Sequence, residues 1–287
     1  PNGAHSWTNY WQPGEAGAQA RLAAFLDEDL NNYSQERDRP DLPSTSRLSP
    51  HLHFGEISPR QVHAAVNFQL SQDQTLTSGA EKFMSELGWR EFAHHLLYHF
   101  PAMTTKNWRP AFEAYPWRNS QQDLNAWQRG QTGYPFVDAG LRELWQTGFM
   151  HNRARMIVAS FLVKHLRIHW RDGEAWFWDT LVDADIANNA AGWQWVAGSG
   201  ADAAPYFRIF NPIVQGQKFD PNGAYVRRWC PELAELDTRF IHAPWEASPM
   251  ELSAAGIILG KSYPYPIVDH REARAAALEG YQKIKAT

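Results

Sequence analysis

The chain has 287 residues, 44% of them hydrophobic, which predicts one or two domains with a large buried core. With 27 Lys and Arg against 31 Asp and Glu, the net charge gives no indication of a nucleic-acid partner, so any such contact would require a local basic patch. A single cysteine, Cys230, excludes an internal disulfide, and no apolar run reaches the ~20 residues of a membrane span, so we expect a cytoplasmic protein that does not enter a membrane.

Most predicted elements along the chain are helices. Residues 1–15 are polar and contain prolines and glycines, so we interpret them as an irregular lead-in, the remnant of a linker, and place one domain at 16–287. Apolar residues at helical spacing predict helices at 16–33, 59–70, 81–100, 135–147, 152–166, 173–181, 212–219, 223–229 and 269–285. The proline-rich segment 231–266 is expected to wrap the outside. Because alternating β-branched runs are few, the predicted fold class is all-α.

A polar loop at 45–50 has the composition of a phosphate site. Thr45, Ser46, Arg47 and Ser49 precede a proline there. Hydroxyls and backbone N–H groups donate to phosphate oxygens, and Arg can hold two of those oxygens at once. A serine- and threonine-rich turn without a ligand explains the same residues, so the loop alone leaves both interpretations open.

The helix predicted at 81–100 carries a mixed polar and aromatic face. Glu86, Trp89 and Arg90 are spaced i, i+3 and i+4, so they share that face. They could line a cleft, or form an exposed ion pair beside a core ring. The same helix contains His95 and His99, four residues apart, but without an H-E-x-x-H pattern or a third ligand we predict no metal site.

The stretch at 183–195 combines carboxylates, amides, small residues and rings, and reads D-A-D-I-A-N-N-A-A-G-W-Q-W. Asp183 and Asp185 follow the helix predicted at 173–181 and could cap a new turn. The small residues at 190–192 leave room for a flat partner against the backbone. Trp193 and Trp195 follow as large rings, although a helix start with two core tryptophans explains the same pattern.

Seven stretches, in order, together resemble the C-terminal FAD-binding domain of the DNA photolyase and cryptochrome family. They are Y-S-Q-E-R-D, T-S-R-L-S, E-L-G-W-R-E-F, T-G-Y-P-F-V-D-A, T-G-F-M-H-N-R-A-R-M, D-A-D-I-A-N-N-A-A-G-W-Q-W and Y-F-R-I-F-N-P. One such string is weak support, but seven in register span nearly the whole chain. The resemblance implies a helical domain that clasps FAD in a U shape around a central cavity, and we expect it to be a monomer.

The resemblance also implies which residues bind FAD, whose reduced form would be active. The matching positions are Tyr33, Thr45, Ser46, Arg47, Leu48, Ser49, Phe83, Arg90, Asp183, Asp185 and Asn189. Phe83 stands where the family often has Trp, so that contact departs from the pattern. Asn189 matches the residue that faces flavin N5, where an amide can serve either a protonated or an anionic nitrogen.

The activity that the resemblance implies is light-driven repair of cyclobutane pyrimidine dimers in DNA, with Glu86 and Asn189 as catalytic residues. Trp117, Trp170 and Trp193 match the tryptophan triad that carries electrons to photoexcited oxidised flavin. The implied contacts to the lesion or to DNA are Arg37, Glu86, Trp89, Asn152, Arg153, Met156, Trp195 and Arg208. A local basic patch is expected from Arg37, Arg90, Arg153, Arg155, Lys164, Arg208 and Lys218.

Alternatives within the family remain open. A cryptochrome-type photoreceptor would bind FAD without repair, but such members often carry Asp or Cys at the position of Asn189. The (6-4) repair branch uses histidines where this chain has Asn152 and Met156, and the cryptochrome-DASH branch departs from W-Q-W. Family members usually begin with an α/β domain that binds a folate or deazaflavin antenna chromophore, which we expect only on sequence missing from this chain.

Overall fold

The helices form two groups along the chain. The structure is a computed structural model that describes residues 4–203 and 207–285. The α-helices are α1 (Glu15–Ala24), α2 (Tyr33–Glu36), α3 (Ser49–His53), α4 (Pro59–Gln72), α5 (Thr77–His99), α6 (Gln121–Gln128), α7 (Pro135–Thr147), α8 (Asn152–Ser160), α9 (Trp170–Thr180), α10 (Ile186–Ala197), α11 (Pro212–Phe219), α12 (Ala224–Trp229), α13 (Pro249–Ala254) and α14 (His270–Lys285). Within those two ranges there is no β-strand, and only an isolated bridge joins Leu259 and Tyr263. The all-α prediction is confirmed.

Local sequence explains where several helices begin and end. Ser58 and Gln61 form a capping box at the start of α4, and Pro59 occupies the first helical position. Gly148 and Gly198 end α7 and α10 with φ of 70° and 92°, a left-handed conformation that favours glycine. Two predicted helices are longer than the observed α-helices because each passes into a π-helical turn, at Phe25–Asp29 and Phe161–His165.

Two apolar clusters make up most of the core. The smaller cluster is formed by α1 to α5 around Phe25, Val62 and Phe83. The larger one is formed by α6 to α10 and the C-terminal segments around Trp127, Phe161 and other buried side chains. The segment 231–266, predicted to wrap the outside, also supplies buried side chains to this second cluster.

Residues 4–15 also pack onto the helical domain. Residues 4–9 form a 3-10 helix, and the indole N–H of Trp11 donates to the carbonyl of Thr147 at 2.8 Å. The part of the lead-in from residue 4 is therefore ordered against α7, whereas residues 1–3 lie outside the described ranges. Within the described ranges, no helix combines the length and apolar character needed to cross a membrane.

Candidate functional site: a cavity between the two helical groups

A cavity of about 760 Å³ lies between α2, α3 and α5 on one side and α8 to α10 on the other. Its walls take residues from both apolar clusters, such as Phe83 from the first and Trp193 from the second. A volume of this size falls in the range of about 300–1,000 Å³ typical of small-molecule and cofactor sites. The fold therefore positions a ligand site where its two helical groups meet.

The polar loop at 45–49 forms part of the cavity wall together with Tyr33. Arg47 has φ of 50°, a left-handed conformation that is unusual for a residue with a side chain, and its guanidinium lies 5.0 Å from the ring of Phe149. Burial lowers the pKa of Arg47, although Glu143 opposes this shift, and burial raises the pKa of Tyr33 to about 12. The loop thus presents hydroxyls and backbone groups next to a constrained cation.

The start of α10 places two aspartates in the cavity. Asp185 caps the helix by accepting the backbone N–H of Asn188 at 2.8 Å, as the sequence predicted. Asp183 instead accepts from Nη2 of Arg155 with both carboxylate oxygens, at 3.0 and 2.8 Å. Burial opposes the ionisation of Asp185, but the hydrogen bonds from Asn188 and the nearby His94 lower its pKa overall.

Asn189 faces the same cavity from the first turns of α10. Its amide nitrogen donates to the backbone carbonyl of Glu174 at 3.0 Å and lies 3.4 Å from a carboxylate oxygen of the same residue. Because the nitrogen is engaged there, the amide oxygen is the group left to accept from a ligand. Burial raises the pKa of Glu174.

The residues predicted to meet a lesion line the cavity as well. On α5, Glu86 forms ion pairs with Arg37 and, at 3.0 Å, with Lys82, while Trp89 is 51% exposed. On α8, the guanidinium of Arg153 donates to Asp38 at 2.5 Å. The other predicted members of this wall are Asn152, Met156 and Trp195.

Several buried nitrogen atoms of the cavity walls have no hydrogen-bond partner among the described residues. They are Nε of Arg37, Nε2 of His151, Nε of Arg153 and Nε1 of Trp193. His151 is 4% exposed and accepts the backbone N–H of Arg153 with Nδ1, so a neutral ring carries its proton on Nε2. Burial lowers the pKa of His151 to about 3, which keeps it neutral. Unpaired buried donors of this kind are costly, so a polar ligand fits the site.

The three tryptophans predicted to transfer electrons differ in burial and in their place relative to the cavity. Trp193 lines the cavity and is 2% exposed, whereas Trp170 on α9 is fully buried and donates to the side-chain oxygen of Asn107 at 2.8 Å. Trp117 is partly exposed, and its ring lies 4.9 Å from that of His169, the neighbour of Trp170 in the chain. Trp193 is therefore the member of the three that lines the cavity and Trp117 the most exposed of them, and their use as an electron path stays a prediction.

Three residues of the predicted basic patch, Lys164, Arg208 and Lys218, are not among the described residues that line the cavity. Lys164 is 1% exposed, donates to the carbonyl of Ala197 at 2.8 Å and lies over the ring of Phe207, so its assignment to a surface basic patch was wrong. Burial lowers the pKa of Lys164 well below its usual value. Arg208 is not among the described residues that line the cavity, so a DNA contact there stays a prediction.

The comparisons with known proteins agree with this geometry. A family model described as the FAD binding domain of DNA photolyase matches residues 83–283. The chain belongs to the DNA photolyase family. It is 56% identical over 287 residues to the deoxyribodipyrimidine photo-lyase of Agrobacterium fabrum, covering 100% of this chain and 60% of that protein. It is 43% identical over 281 residues to Cryptochrome-1 of Arabidopsis thaliana, covering 96% of this chain and 41% of that protein.

The photolyase family assignment extends to solved structures. The crystal structure of a bacterial class III photolyase from Agrobacterium tumefaciens matches with a TM-score of 0.95 at 55% identity, covering 100% of this chain and 59% of that one. The chain thus spans about 60% of the length of the photolyases named here. The family and the fold predicted from the seven sequence stretches are both confirmed.

Some residues of this photolyase-family cavity were missed by sequence reasoning. Asp38, His53, Lys82 and Trp108 all line it. His53 lies at the end of the short helix α3, which begins within the loop predicted at 45–50 and was not predicted as a helix. Trp108 lies between the helices predicted at 81–100 and 135–147, where no periodic pattern indicates the direction of its side chain. A signal existed for Asp38, since it adjoins the predicted site residue Arg37 in the chain, but adjacency alone does not give side-chain direction.

Proposed function

We propose that this chain carries the FAD-binding and lesion-processing part of a deoxyribodipyrimidine photo-lyase, which repairs cyclobutane pyrimidine dimers in DNA under light. The observation that supports this most strongly is that one cavity brings together both predicted sets of residues. Asp183, Asp185 and Asn189 represent the cofactor set, and Glu86 and Trp195 the lesion set. A cofactor and a substrate bound in one cavity can exchange an electron without a long path through protein.

FAD is the cofactor in this proposal, and it supplies a light-driven electron when bound in its reduced form. The residues that would hold it are Tyr33, Thr45, Ser46, Arg47, Leu48, Ser49, Phe83, Arg90, Asp183, Asp185 and Asn189, all of which line the cavity. The loop hydroxyls and backbone N–H groups would donate to the phosphates. The oxygen of Asn189 would accept from the flavin edge, because its nitrogen donates to Glu174.

The lesion would enter the same cavity flipped out of the duplex. Trp89 is half-exposed and Trp195 partly exposed, so both rings are available to stack on the dimer. Glu86 would hydrogen-bond a pyrimidine, and Asn152 and Met156 would shape the pocket beside it. Flipping costs a few kcal/mol, and less for a damaged pair that already stacks badly, which favours the lesion over undamaged bases.

Phosphate contacts would come from Arg37 and Arg153, with Arg208 farther out. In the structure Arg37 pairs with Glu86 and Arg153 with Asp38, so each guanidinium is already directed to an anionic oxygen at the cavity wall. Replacing a carboxylate partner by a DNA phosphate preserves the type of interaction. Binding through these groups should weaken as salt rises.

Trp193, Trp170 and Trp117 would return the oxidised protein to its active state by passing electrons inward under light. We assign only FAD to this cavity. A folate or deazaflavin antenna would bind to a region equivalent to the part of the relatives that this chain does not cover. We also propose that the protein acts as a monomer in the cytoplasm.

The test is light-dependent repair by the purified, reduced protein. An oligonucleotide with one thymine dimer is added, and restored thymine absorbance is followed under blue light and in a dark control. Repair only in the light supports the proposal. No repair by protein that holds reduced FAD and retains the oligonucleotide would contradict it and favour a photoreceptor of the cryptochrome type.

A further inference from the structure

The cavity wall carries aromatic rings besides the two tryptophans expected to stack on a lesion, among them Phe92 and Trp108. Phe92 lies one turn after Trp89 on α5, is 39% exposed, and meets that ring edge to face at 5.8 Å. Trp108 lines the cavity together with Trp195. A dimer needs only the two stacking rings already assigned to it, so the wall carries more aromatic surface than the lesion uses.

Trp108 belongs to a rigid turn. Its backbone N–H donates to the side-chain oxygen of Gln194 at 2.8 Å, and the amide nitrogen of Gln194 donates to the carbonyls of Met103 and Lys106 at 2.6 and 3.0 Å. Gln194 is 1% exposed and adjoins Trp195 in α10. One buried amide therefore ties the turn that carries Trp108 to the helix that carries Trp195, and both residues line the cavity.

A second set of contacts fixes the turn from the opposite side. The side chain of Asn107 accepts from the indole of Trp170 at 2.8 Å and donates to Glu113 at 2.8 Å. The backbone N–H of Arg109 donates to the carbonyl of Ser199 at 2.9 Å. A ring held on such a frame loses little conformational freedom on binding, which favours stacking.

The charge around Trp108 also fits a nucleotide. Lys106 and Arg109 flank it in the chain, and both are exposed. Proteins bind single-stranded nucleic acid by stacking bases on aromatic rings and holding the backbone phosphates with nearby cations, and this stretch of chain carries both kinds of side chain. Phe100 packs edge to face on Trp108 at 4.6 Å and supports the ring from outside the cavity.

We propose that Trp108, with Lys106 and Arg109, forms a binding site for a nucleotide next to the dimer on the damaged strand. This site rests on the proposed function, because it needs a lesion held between Trp89 and Trp195. Flipping a dimer unstacks the neighbouring base, and Trp108 offers that base a ring in place of its lost neighbour. The site would add affinity for longer substrates without taking part in the chemistry.

The experiment compares three substrates on the FAD-loaded chain: a bare thymine-dimer dinucleotide, a single-stranded dimer oligonucleotide, and the same oligonucleotide with abasic sites on both sides of the dimer. Trp108→Ala should weaken binding of the normal oligonucleotide about 5- to 100-fold, the range of one lost stacking contact. It should leave the abasic-flanked oligonucleotide and the dinucleotide unchanged. Trp108→Phe should recover most of the loss. Trp178→Ala, at an exposed tryptophan that is not among the described cavity residues, is the matched control.

The double variant Lys106→Gln and Arg109→Gln should reduce the salt dependence of oligonucleotide binding, by about one unit of slope for each lost phosphate contact. The proposal would be overturned if Trp108→Ala weakened binding of the normal and the abasic-flanked oligonucleotides equally, or weakened binding of neither. Light-driven repair of the dinucleotide by the unmodified chain distinguishes a failure of the proposed function from a failure of the Trp108 site. If that repair fails, the proposed function fails; if it succeeds while Trp108→Ala binds the normal oligonucleotide at full strength, only the flanking site fails.

Discussion

Gly173 and Trp193 are packed so closely that only a glycine fits between their helices. A Cβ at Gly173 would lie 2.1 Å from Cη2 of Trp193 and 2.6 Å from Cδ2 of Leu162. Both neighbours are buried in the larger core cluster, where a side chain has little room to move. The absence of a side chain on α9 therefore fixes how near it comes to the tryptophan that lines the cavity.

Gly173→Ala is expected to destabilise the protein by about 1–3 kcal/mol, the usual cost of overpacking a core. Because the methyl group pushes Trp193 away, photoreduction of oxidised FAD should also slow. Gly88→Ala is the matched control, since Gly88 is an exposed helical glycine whose added Cβ would meet nothing within 4 Å. That change should stabilise the protein by about 0.5–1 kcal/mol. Urea unfolding gives the free energy of unfolding of both variants. If the two substitutions destabilise the protein equally, the close contact between Gly173 and Trp193 does not require a glycine.

Trp193→Phe should abolish most photoreduction of oxidised FAD and leave repair by previously reduced protein nearly intact. Trp193 is the member of the proposed electron path that lines the cavity, and phenylalanine keeps an apolar ring but is far harder to oxidise. Absorbance of the oxidised flavin under blue light with an external reductant measures the first property, and dimer repair after chemical reduction measures the second. Photoreduction at the original rate would remove Trp193 from the path.

The helices could be predicted well because their patterns are local. The segment 135–147 shows a wide apolar stripe, and α7 has the predicted bounds. Short helices such as α3 and α13 were missed, since five or six residues give too little periodicity to separate a helix from a turn. The burial of Tyr263 was also missed. Its hydroxyl donates a hydrogen bond to the carboxylate of Asp138, which lies more than a hundred residues away in the chain.

The sequence could predict which residues belong to the candidate site, but not which of them interact with one another. Asp183 and Arg155 were both noted in the sequence, yet their ion pair joins two helices and has no sequence signature. For Lys164 the predicted position was wrong. A single lysine in an amphipathic helix is normally expected on the exposed face, but this one is buried. The carbonyl at the end of α10 and the ring of Phe207 offer that ammonium a buried position, and both come from distant parts of the chain.

Glu86→Ala should reduce the yield of dimer repair per absorbed photon while FAD stays bound. Glu86 pairs with Arg37 and Lys82 at the lesion side of the cavity, so its removal takes away an acceptor for the pyrimidine. Glu86→Gln keeps the shape and one acceptor oxygen, and it should retain more activity than the alanine variant. Flavin absorbance and repair yield are measured on the same samples. A colourless alanine variant would show that Glu86 is structural instead.

The stability of the protein in acid should depend on His151. Its pKa falls from the ordinary 6.5 to about 3 on folding because burial disfavours the charged ring. Between these two values the unfolded state binds a proton that the folded state does not, so stability rises with pH in this window and levels off above it. This part of the stability is fully present above about pH 6.5 and is lost as the pH falls.

His151→Asn removes the titrating ring but keeps a side-chain oxygen that can cap α8 in place of Nδ1. Between about pH 4 and 6 the free energy of unfolding of the variant should therefore depend on pH less steeply than that of the unmodified chain, by up to about 1.4 kcal/mol per pH unit. Asp220, whose pKa burial raises to about 6, contributes with the opposite sign but equally in both proteins, so it cancels in the difference. Urea unfolding at several pH values, at equal FAD saturation, gives the two slopes. His63→Asn at an exposed site of α4 serves as the control, and parallel curves for the unmodified chain and His151→Asn would show that His151 is not buried as a neutral ring.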